Sequence, residues 1–385
     1  MLNLATLLEE SARQVPMREA VIFSETRLTY AQVNGAANQV AGALAERGIG
    51  RGDKVALSCP NLPYFPIVYY GILKAGATVV PLNVLLKGRE IAYHLSDSDA
   101  KAYFCFQGTA DLPMAQMGYE GFQQVDACEH FFMITADPAG PSPIEGTMTL
   151  GQAMHGKAPV FNTVPTDAQN TAVILYSSGT TGQPKGAELS HSNMVMNAMV
   201  SAESLFVKAE HHRHLITLPL FHSFGQTCQM NAGFYQRASL SLLPRFDPEA
   251  ALATMERDEI TCFAGVPTMY WAILNHPGSA EKFDLDKISQ NMLVAVSGGS
   301  AMPVEVMRAF DEKFTVKILE GYGLSETSPV ATFNRPDRER KPGSVGLPIW
   351  GIGVRVVDAD DNDVAQGELG EIVIQGHNIM KGYYN

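Results

Sequence analysis

From about Lys54 the chain alternates short β-rich runs with helical patterns, and no other feature limits its possible folds as strongly. Such a rhythm is the sequence form of a parallel sheet with crossover helices. KVALSCP (54–60), ATVVPLN (77–83), KAYFCFQ (101–107) and HFFMIT (130–135) read as strands, with helical IVYYGILKAG (67–76) and KGREIAYHLSD (87–97) between them. A stretch from about Asp137 to Thr166, rich in Pro, Gly and small residues, reads as a linker or surface excursion between units. A second series follows, with strands AVILYSS (172–178), HLITLPL (214–220), ASLSLLP (238–244), ITCFAGVP (260–267), MLVAVSGG (292–299) and VKILEGYG (316–323). Helices are predicted from about Ser190, at Asp247 and near Pro303; Asp247-Pro248-Glu249 combines an N-cap acceptor with Pro at the first helical position. After about Pro329 the helical patterns stop, and residues 353–376 read as two strands joined by a polar turn. The expected class is α/β: a first unit with its linker over 1–166, a second over 167–329, and a small β-rich unit over 330–385.

Charge and cysteine usage narrow the function classes. With 28 Lys+Arg against 40 Asp+Glu, the net charge of −12 argues against nucleic acid as a partner, so any phosphate site must be local. Five cysteines, Cys59, Cys105, Cys128, Cys228 and Cys262, stand singly, an odd count that suits a reducing compartment and apolar filling. No apolar run approaches the roughly 18–20 residues that span a bilayer. The first residues, MLNLATLLEESARQ, carry acidic Glu9 and Glu10 where a secretion signal needs an apolar core. A cytoplasmic enzyme is the expected class, with peripheral membrane contact and a homodimer compatible with the sequence.

YSSGTTGQPKG, Tyr176 to Gly186, directly follows a buried strand. Gly179, Gly182 and Gly186 permit close backbone approach, so main-chain N–H groups can converge on an anion. Ser177, Ser178, Thr180 and Thr181 add hydroxyls, and Lys185 adds a point charge. This is the composition of a phosphate cradle, yet not of a Walker A loop, because Pro184 precedes the lysine and Gly186 follows it. A polar surface turn is the plainer reading of a generic Gly/Ser/Thr loop, but a turn does not need this order of residues.

Here the sequence resembles the adenylate-forming superfamily of acyl-CoA synthetases, firefly luciferase and peptide-synthetase adenylation domains. The resemblance rests on LTYAQVN (28–34), LKAGATVVPLN (73–83), YSSGTTGQPKG (176–186), LPLFHSFG (218–225), SGGSAMP (297–303), EGYGLSET (320–327), GSVGLP (343–348) and GELGEIVIQGHNIMKGYYN (367–385). It implies two stacked α/β subdomains with largely parallel sheets and a small β-barrel-like subdomain. It also implies activation of a carboxylic acid with ATP and Mg2+ to an acyl-adenylate, followed by transfer to coenzyme A. By resemblance Tyr322 stacks on adenine, Thr327 contacts the α-phosphate, and Glu326 and Thr181 hold Mg2+. Lys185 and the hydroxyl loop hold the outer phosphates, and Thr181, Lys185, His222 and Glu326 form the expected catalytic set. Gly298, Gly299, Ser300 and Ala301 border the adenine and the acyl pocket, with Glu320, Gly321 and Gly323 beside them.

LPLFHSFG bears on the substrate. Adenylation domains place an acidic residue here to pair with an α-ammonium, whereas this chain has His222 among apolar or small neighbours. An acid without an α-amine is therefore expected, in a pocket formed by His222, Phe224, Gly225, Val266, Gly299, Gly321 and Gly323. Gly321 and Gly323 are expected to leave room for a medium or long fatty acyl chain. An aryl-acid or luciferase-like enzyme, and a non-catalytic nucleotide or acyl-adenylate binding module, are the alternatives. Complete members continue to a mobile C-terminal domain bearing a further lysine, so these 385 residues are expected to be a large N-terminal part with impaired turnover. His211, His212 and His214 lack metal-ligand spacing and read as a solvated loop. Met194, Met196 and Met199 read as core, and Asp358, Asp360, Asp361 and Asp363 as a polar turn and not a calcium loop.

Overall fold

A computed structural model of the chain describes residues 1–177, 182–205 and 209–385. The strands in chain order are β1 (Glu19–Phe23), β2 (Thr26–Thr29), β3 (Lys54–Ser58), β4 (Thr78–Pro81), β5 (Ala100–Phe106), β6 (His130–Ile134), β7 (Met148–Thr149), β8 (Thr171–Ser177) and β9 (Lys185–Ser190). They continue as β10 (Arg213–Ile216), β11 (Ser239–Leu242), β12 (Cys262–Gly265), β13 (Val294–Ser297), β14 (Ile318–Gly323), β15 (Val330–Phe333), β16 (Leu347–Pro348), β17 (Ile352–Val357), β18 (Glu371–Gly376) and β19 (Gly382–Tyr384). One sheet has eight strands in the order β19-β9-β8-β4-β3-β5-β6-β7, and the other nine in the order β16-β15-β14-β13-β12-β10-β11-β1-β2. Their interiors are parallel and their antiparallel pairs lie toward the edges, so the expected α/β class with two largely parallel sheets holds.

The expected division into units does not follow the sheets. The hairpin β1–β2 lies in the nine-stranded sheet, parallel to β11, while β8 and β9 complete the eight-stranded one. A boundary at 166/167 therefore cuts both sheets. Runs of β-branched residues reveal strands but not their partners, which lie far away in sequence. The span 137–166 is also more than a linker, since it holds β7 and the helix Leu150–Met154, capped by Thr149. Residues 330–385 form no closed barrel among the described residues: β15 and β16 extend the nine-stranded sheet, β17 and β18 make a separate hairpin, and β19 joins β9. The turn at Asp358 matches expectation, its Oδ1 accepting from the N–H groups of Asp360 and Asn362.

Between the sheets lies a layer of buried helices, including Tyr30–Ala45, Tyr64–Lys74 and a π-helix at Phe224–Asn231. The apolar faces of these helices join one large core with both sheets. Polar groups inside that layer are matched across it: Tyr70 donates to Asn231 Oδ1 at 2.7 Å, Gln229 donates to the Leu215 carbonyl at 2.9 Å, and Tyr69 donates to Gln226 at 3.3 Å. Asn61, after β3, donates to the carbonyls of Ile216, Leu218 and Leu243 and accepts from Leu220 N–H, which links the two sheets' loops. Such pairing is what makes burial of amides tolerable.

Local sequence accounts for several boundaries. Asp247 accepts from Ala250 N–H at 2.9 Å and starts the helix Pro248–Arg257 as expected. All five cysteines are buried and free, and Met194 is buried with Met199 packed on the core. The histidine cluster departs from expectation. His212 and His214 are buried at and on β10, and burial lowers the pKa of His214 to about 3. The local sequence is polar, but the central strand position decides.

His191 is buried, its Nδ1 accepts from Leu4 N–H at 3.0 Å, and burial lowers its pKa from 6.5 to about 4. The folded chain thus binds fewer protons than the unfolded chain below pH 6.5, so this stability is present above that value and is lost as pH falls toward 4. Melting midpoints at pH 7 and pH 5 should show the loss, and H191Q should reduce the stability difference between the two by about 2 kcal/mol. At Gly323 a Cβ would approach the Pro329 carbonyl oxygen to 1.9 Å. G323A should therefore lower stability by about 3 kcal/mol in denaturant titrations, as overpacking against backbone does.

Candidate active site

The site forms where the C-terminal edges of the two sheets face each other. β8 ends on Ser177 and β9 opens on Lys185, which are partners in the antiparallel ladder. Ser178, Gly179, Thr180 and Thr181, on which much of the expected cradle rests, lie outside the described residues. Gly182 follows them in open space. The hairpin is braced from the side: Tyr93 donates to the Pro184 carbonyl at 2.8 Å, and Tyr176 donates to Asp97 at 2.6 Å. From the second sheet, β13 delivers Ser297 and the turn Gly298–Gly299, and β14 delivers Gly321–Gly323. A single 3-10 turn, Ser325–Thr327, then carries Glu326.

These segments enclose a cavity of about 280 Å³. Leu205, Phe224, Val296, Val330 and Phe333 give it apolar walls, and Ser177, His222, Tyr322, Ser325 and Glu326 supply polar groups. A second cavity of about 350 Å³ shares Ser177, His222, Ser223 and Ser325 with the first and extends past Asn83, His94 and Phe221. His222 thus borders both. Its ring is open to the cavities but surrounded by protein, and this loss of bulk water holds its pKa below the usual 6.5, so the imidazole is neutral at pH 7. Its Nδ1 accepts from Phe224 N–H at 3.3 Å.

Glu326 is the only carboxylate among the described residues that line these two cavities. Its Oε1 accepts from Ser177 Oγ at 3.2 Å and from the Tyr383 hydroxyl at 2.8 Å. That hydrogen bond pushes the Tyr383 pKa up, since the phenol must stay protonated to donate. Lys185 Nζ stands 5.3 Å from the centroid of the same ring. Among the described residues no group of three His, Cys, Asp or Glu side chains could cage a metal. One carboxylate with neighbouring hydroxyls instead suits Mg2+, which keeps water and takes phosphate oxygens as further ligands. The donor set therefore fits a cation that arrives with a polyphosphate.

Several expected residues serve other ends. The Thr327 hydroxyl is buried and donates to the carbonyls of Leu324, at 3.1 Å, and Pro329, while accepting from Leu324 N–H. It closes its own turn and does not border either cavity; Ser325, two residues earlier, borders both. Glu320 is buried and borders neither cavity; its Oε1 accepts from Met302 N–H at 3.0 Å and holds the turn after β13. Gly225 does not line the pocket, because the space of its missing side chain is filled by the Pro219 carbonyl, 2.6 Å from a Cβ. Gly321 and Gly323 do border the cavity, yet they leave no extra room: a Cβ on Gly321 would meet the Phe333 ring at 2.5 Å. Their role is close packing of β14 on the strand and turn that follow it. Val266 lies behind Gly299, and Gly299, Ser300 and Ala301 form an exposed lip.

Residues that sequence reasoning missed are Ser325, Ser297, Ser223 and Tyr383. Ser223 and Ser297 sit in motifs already singled out, and their buried hydroxyls find no partner among the described residues. Tyr383 also lies in a motif, 367–385, but its partner Glu326 is more than fifty residues away in sequence, so the motif alone does not show what it touches.

Known proteins share this architecture. A profile of the AMP-binding enzyme family matches residues 8–384. The long-chain-fatty-acid–CoA ligase of Bacillus subtilis (strain 168) is 31% identical over all of this chain and 70% of its own length. Among solved structures, the anthranilate CoA ligase AuaEII in complex with anthranoyl-AMP superposes with a TM-score of 0.90 at 27% identity, over 99% of this chain and 71% of its own. ATP-bound MatB from Rhodopseudomonas palustris does so with a TM-score of 0.86 at 28% identity, over 100% of this chain and 72% of its own. The chain belongs to the AMP-binding enzyme family, within its adenylate-forming acyl- and aryl-CoA ligases, and so to the acid–thiol ligase class.

Proposed function

We propose that the site activates a carboxylic acid that has an apolar tail and no α-ammonium, using ATP and Mg2+, and passes the acyl group to coenzyme A. The observation that carries this reading is the pairing of an apolar cavity with Ser177, Lys185 and Glu326 at the seam of the two sheets. His222 stands where an acidic partner for an ammonium group would be needed, and a neutral imidazole offers no such charge. The favoured substrate is a medium or long fatty acid. An aryl acid is the second reading, supported by the modest cavity and by Phe333 filling the space beside Gly321.

In the proposed reaction a carboxylate oxygen attacks the α-phosphorus of ATP, the bond to the bridging oxygen breaks, and pyrophosphate leaves with the electron pair. No protein nucleophile is required. Lys185 holds the outer phosphates by charge, and Ser325 donates toward the α-phosphate in place of Thr327. Tyr322 and the Gly298–Gly299 turn border the adenosine. Glu326 orients a cation whose chemistry is to neutralise charge on the phosphates. His222, neutral at the junction of both cavities, donates one hydrogen bond to the substrate carboxylate and holds it in line. In the second step the thiolate of coenzyme A attacks the acyl carbon, and AMP departs.

K185A and E326Q should each lower ATP–pyrophosphate exchange by about 100-fold, the usual effect of removing one positioned charge or donor at a developing transition state. Measurable ATP binding with background exchange in every acid tested would support a binding module instead. Across a panel of acids, each methylene buried in the cavity should contribute up to about 0.8 kcal/mol to binding, whereas an aryl-acid site would show no such series.

A further inference from the structure

We propose that Tyr383 is a positioning residue for the cation–phosphate site, setting the orientation of Glu326 from across the seam and the seat of Lys185 on the neighbouring strand of its own sheet. This rests on the reading above that Glu326 holds a cation. Glu326 sits on a one-turn segment, and a lone carboxylate on such a short turn can rotate about its own side-chain bonds. The chain meets this with a strap after β18. Met380 N–H donates to the Glu326 carbonyl at 2.9 Å, fixing the backbone, and the Tyr383 hydroxyl donates to Oε1, fixing the carboxylate.

The strap is itself anchored on both sides. β19 pairs with β9 in the first sheet, with Tyr383 opposite Ala187. Ser328 donates to the Asn378 carbonyl at 2.8 Å, and Asn193 donates to the carbonyls of His377 and Ile379. Tyr383 therefore projects from a fixed strand across the seam. With Oε1 committed to Tyr383 and Ser177, the second carboxylate oxygen accepts no hydrogen bond from the described residues and is left for a cation. The same ring carries Lys185 Nζ at 5.3 Å, so one aromatic side chain indexes both charged groups that face the phosphates. Hydrogen-bonded partners of this kind orient ligands to a metal and tune its binding.

The test uses the whole chain, with Mn2+ as the paramagnetic probe titrated in the presence of ATP and AMP binding measured separately without cation. Y383F keeps the ring and removes only the hydroxyl. It should weaken Mn2+ binding about tenfold, the lower end of what loss of a ligand's hydrogen-bond partner costs, with AMP affinity and melting midpoint unchanged. Y383A, which also removes the seat of Lys185, should weaken it further. If Y383F binds Mn2+ like the unmodified chain while E326Q does not, Tyr383 has no positioning role and the site reading stands. If E326Q also binds like the unmodified chain, or the unmodified chain binds no Mn2+ with ATP, the site reading fails and this inference falls with it. A parallel loss of AMP affinity and melting midpoint in Y383F would reduce Tyr383 to a strand residue and overturn the proposal.

Discussion

The spacing between the two sheets governs everything else in this molecule. The site's polar groups are contributed by both sheets. Ser177 and Lys185 end and begin strands of the first sheet, whereas Ser297 ends β13, Tyr322 lies near the end of β14 and Glu326 follows β14 in the second. A helix layer filled by Tyr69, Tyr70, Gln226, Gln229 and Asn231 keeps the two sheets apart by a fixed distance. Because those side chains are buried and hydrogen-bonded to one another or to strand carbonyls, any sliding of one sheet would strand several polar groups without partners. Catalytic geometry is therefore inherited from a polar network that never touches substrate.

Much of the site was legible in the sequence because its residues cluster in short ordered motifs at strand ends. Lys185, His222, Tyr322 and Glu326, each singled out within a motif, border or face the seam. What could not be read was which way neighbouring side chains turn. Thr327 and Ser325 are equally plausible hydroxyls in a string, and only the turn's own closure, which consumes the Thr327 oxygen, separates them. The glycines teach the same lesson. An absent side chain can mean space for a ligand or space for a neighbouring backbone, and at Gly225 and Gly323 the neighbour has taken it.

The fold class was legible from periodicity, but the assignment of strands to sheets was not. β1 and β2 stand far from the rest of their sheet in sequence, and β19 stands far from β9. Strand pairing is decided by long-range burial, for which local composition holds no signal. The histidines near β10 depart from expectation for the same reason: their sequence neighbours are polar, while a central strand draws His214 into the core.

The exchange of strands between sheets also sets an order of assembly. The eight-stranded sheet receives its edge strand from residues 382–384, so it cannot be finished until every strand of the nine-stranded sheet has emerged from the ribosome. The nine-stranded sheet, in turn, waits with its first hairpin made and its parallel partner β11 still unsynthesised. Both sheets close through pairings of high sequence separation, and closure of such distant pairings is slow. β19 is also the strand that carries Tyr383 to Glu326, so the charged site is completed by the same long-range pairing that completes the sheet.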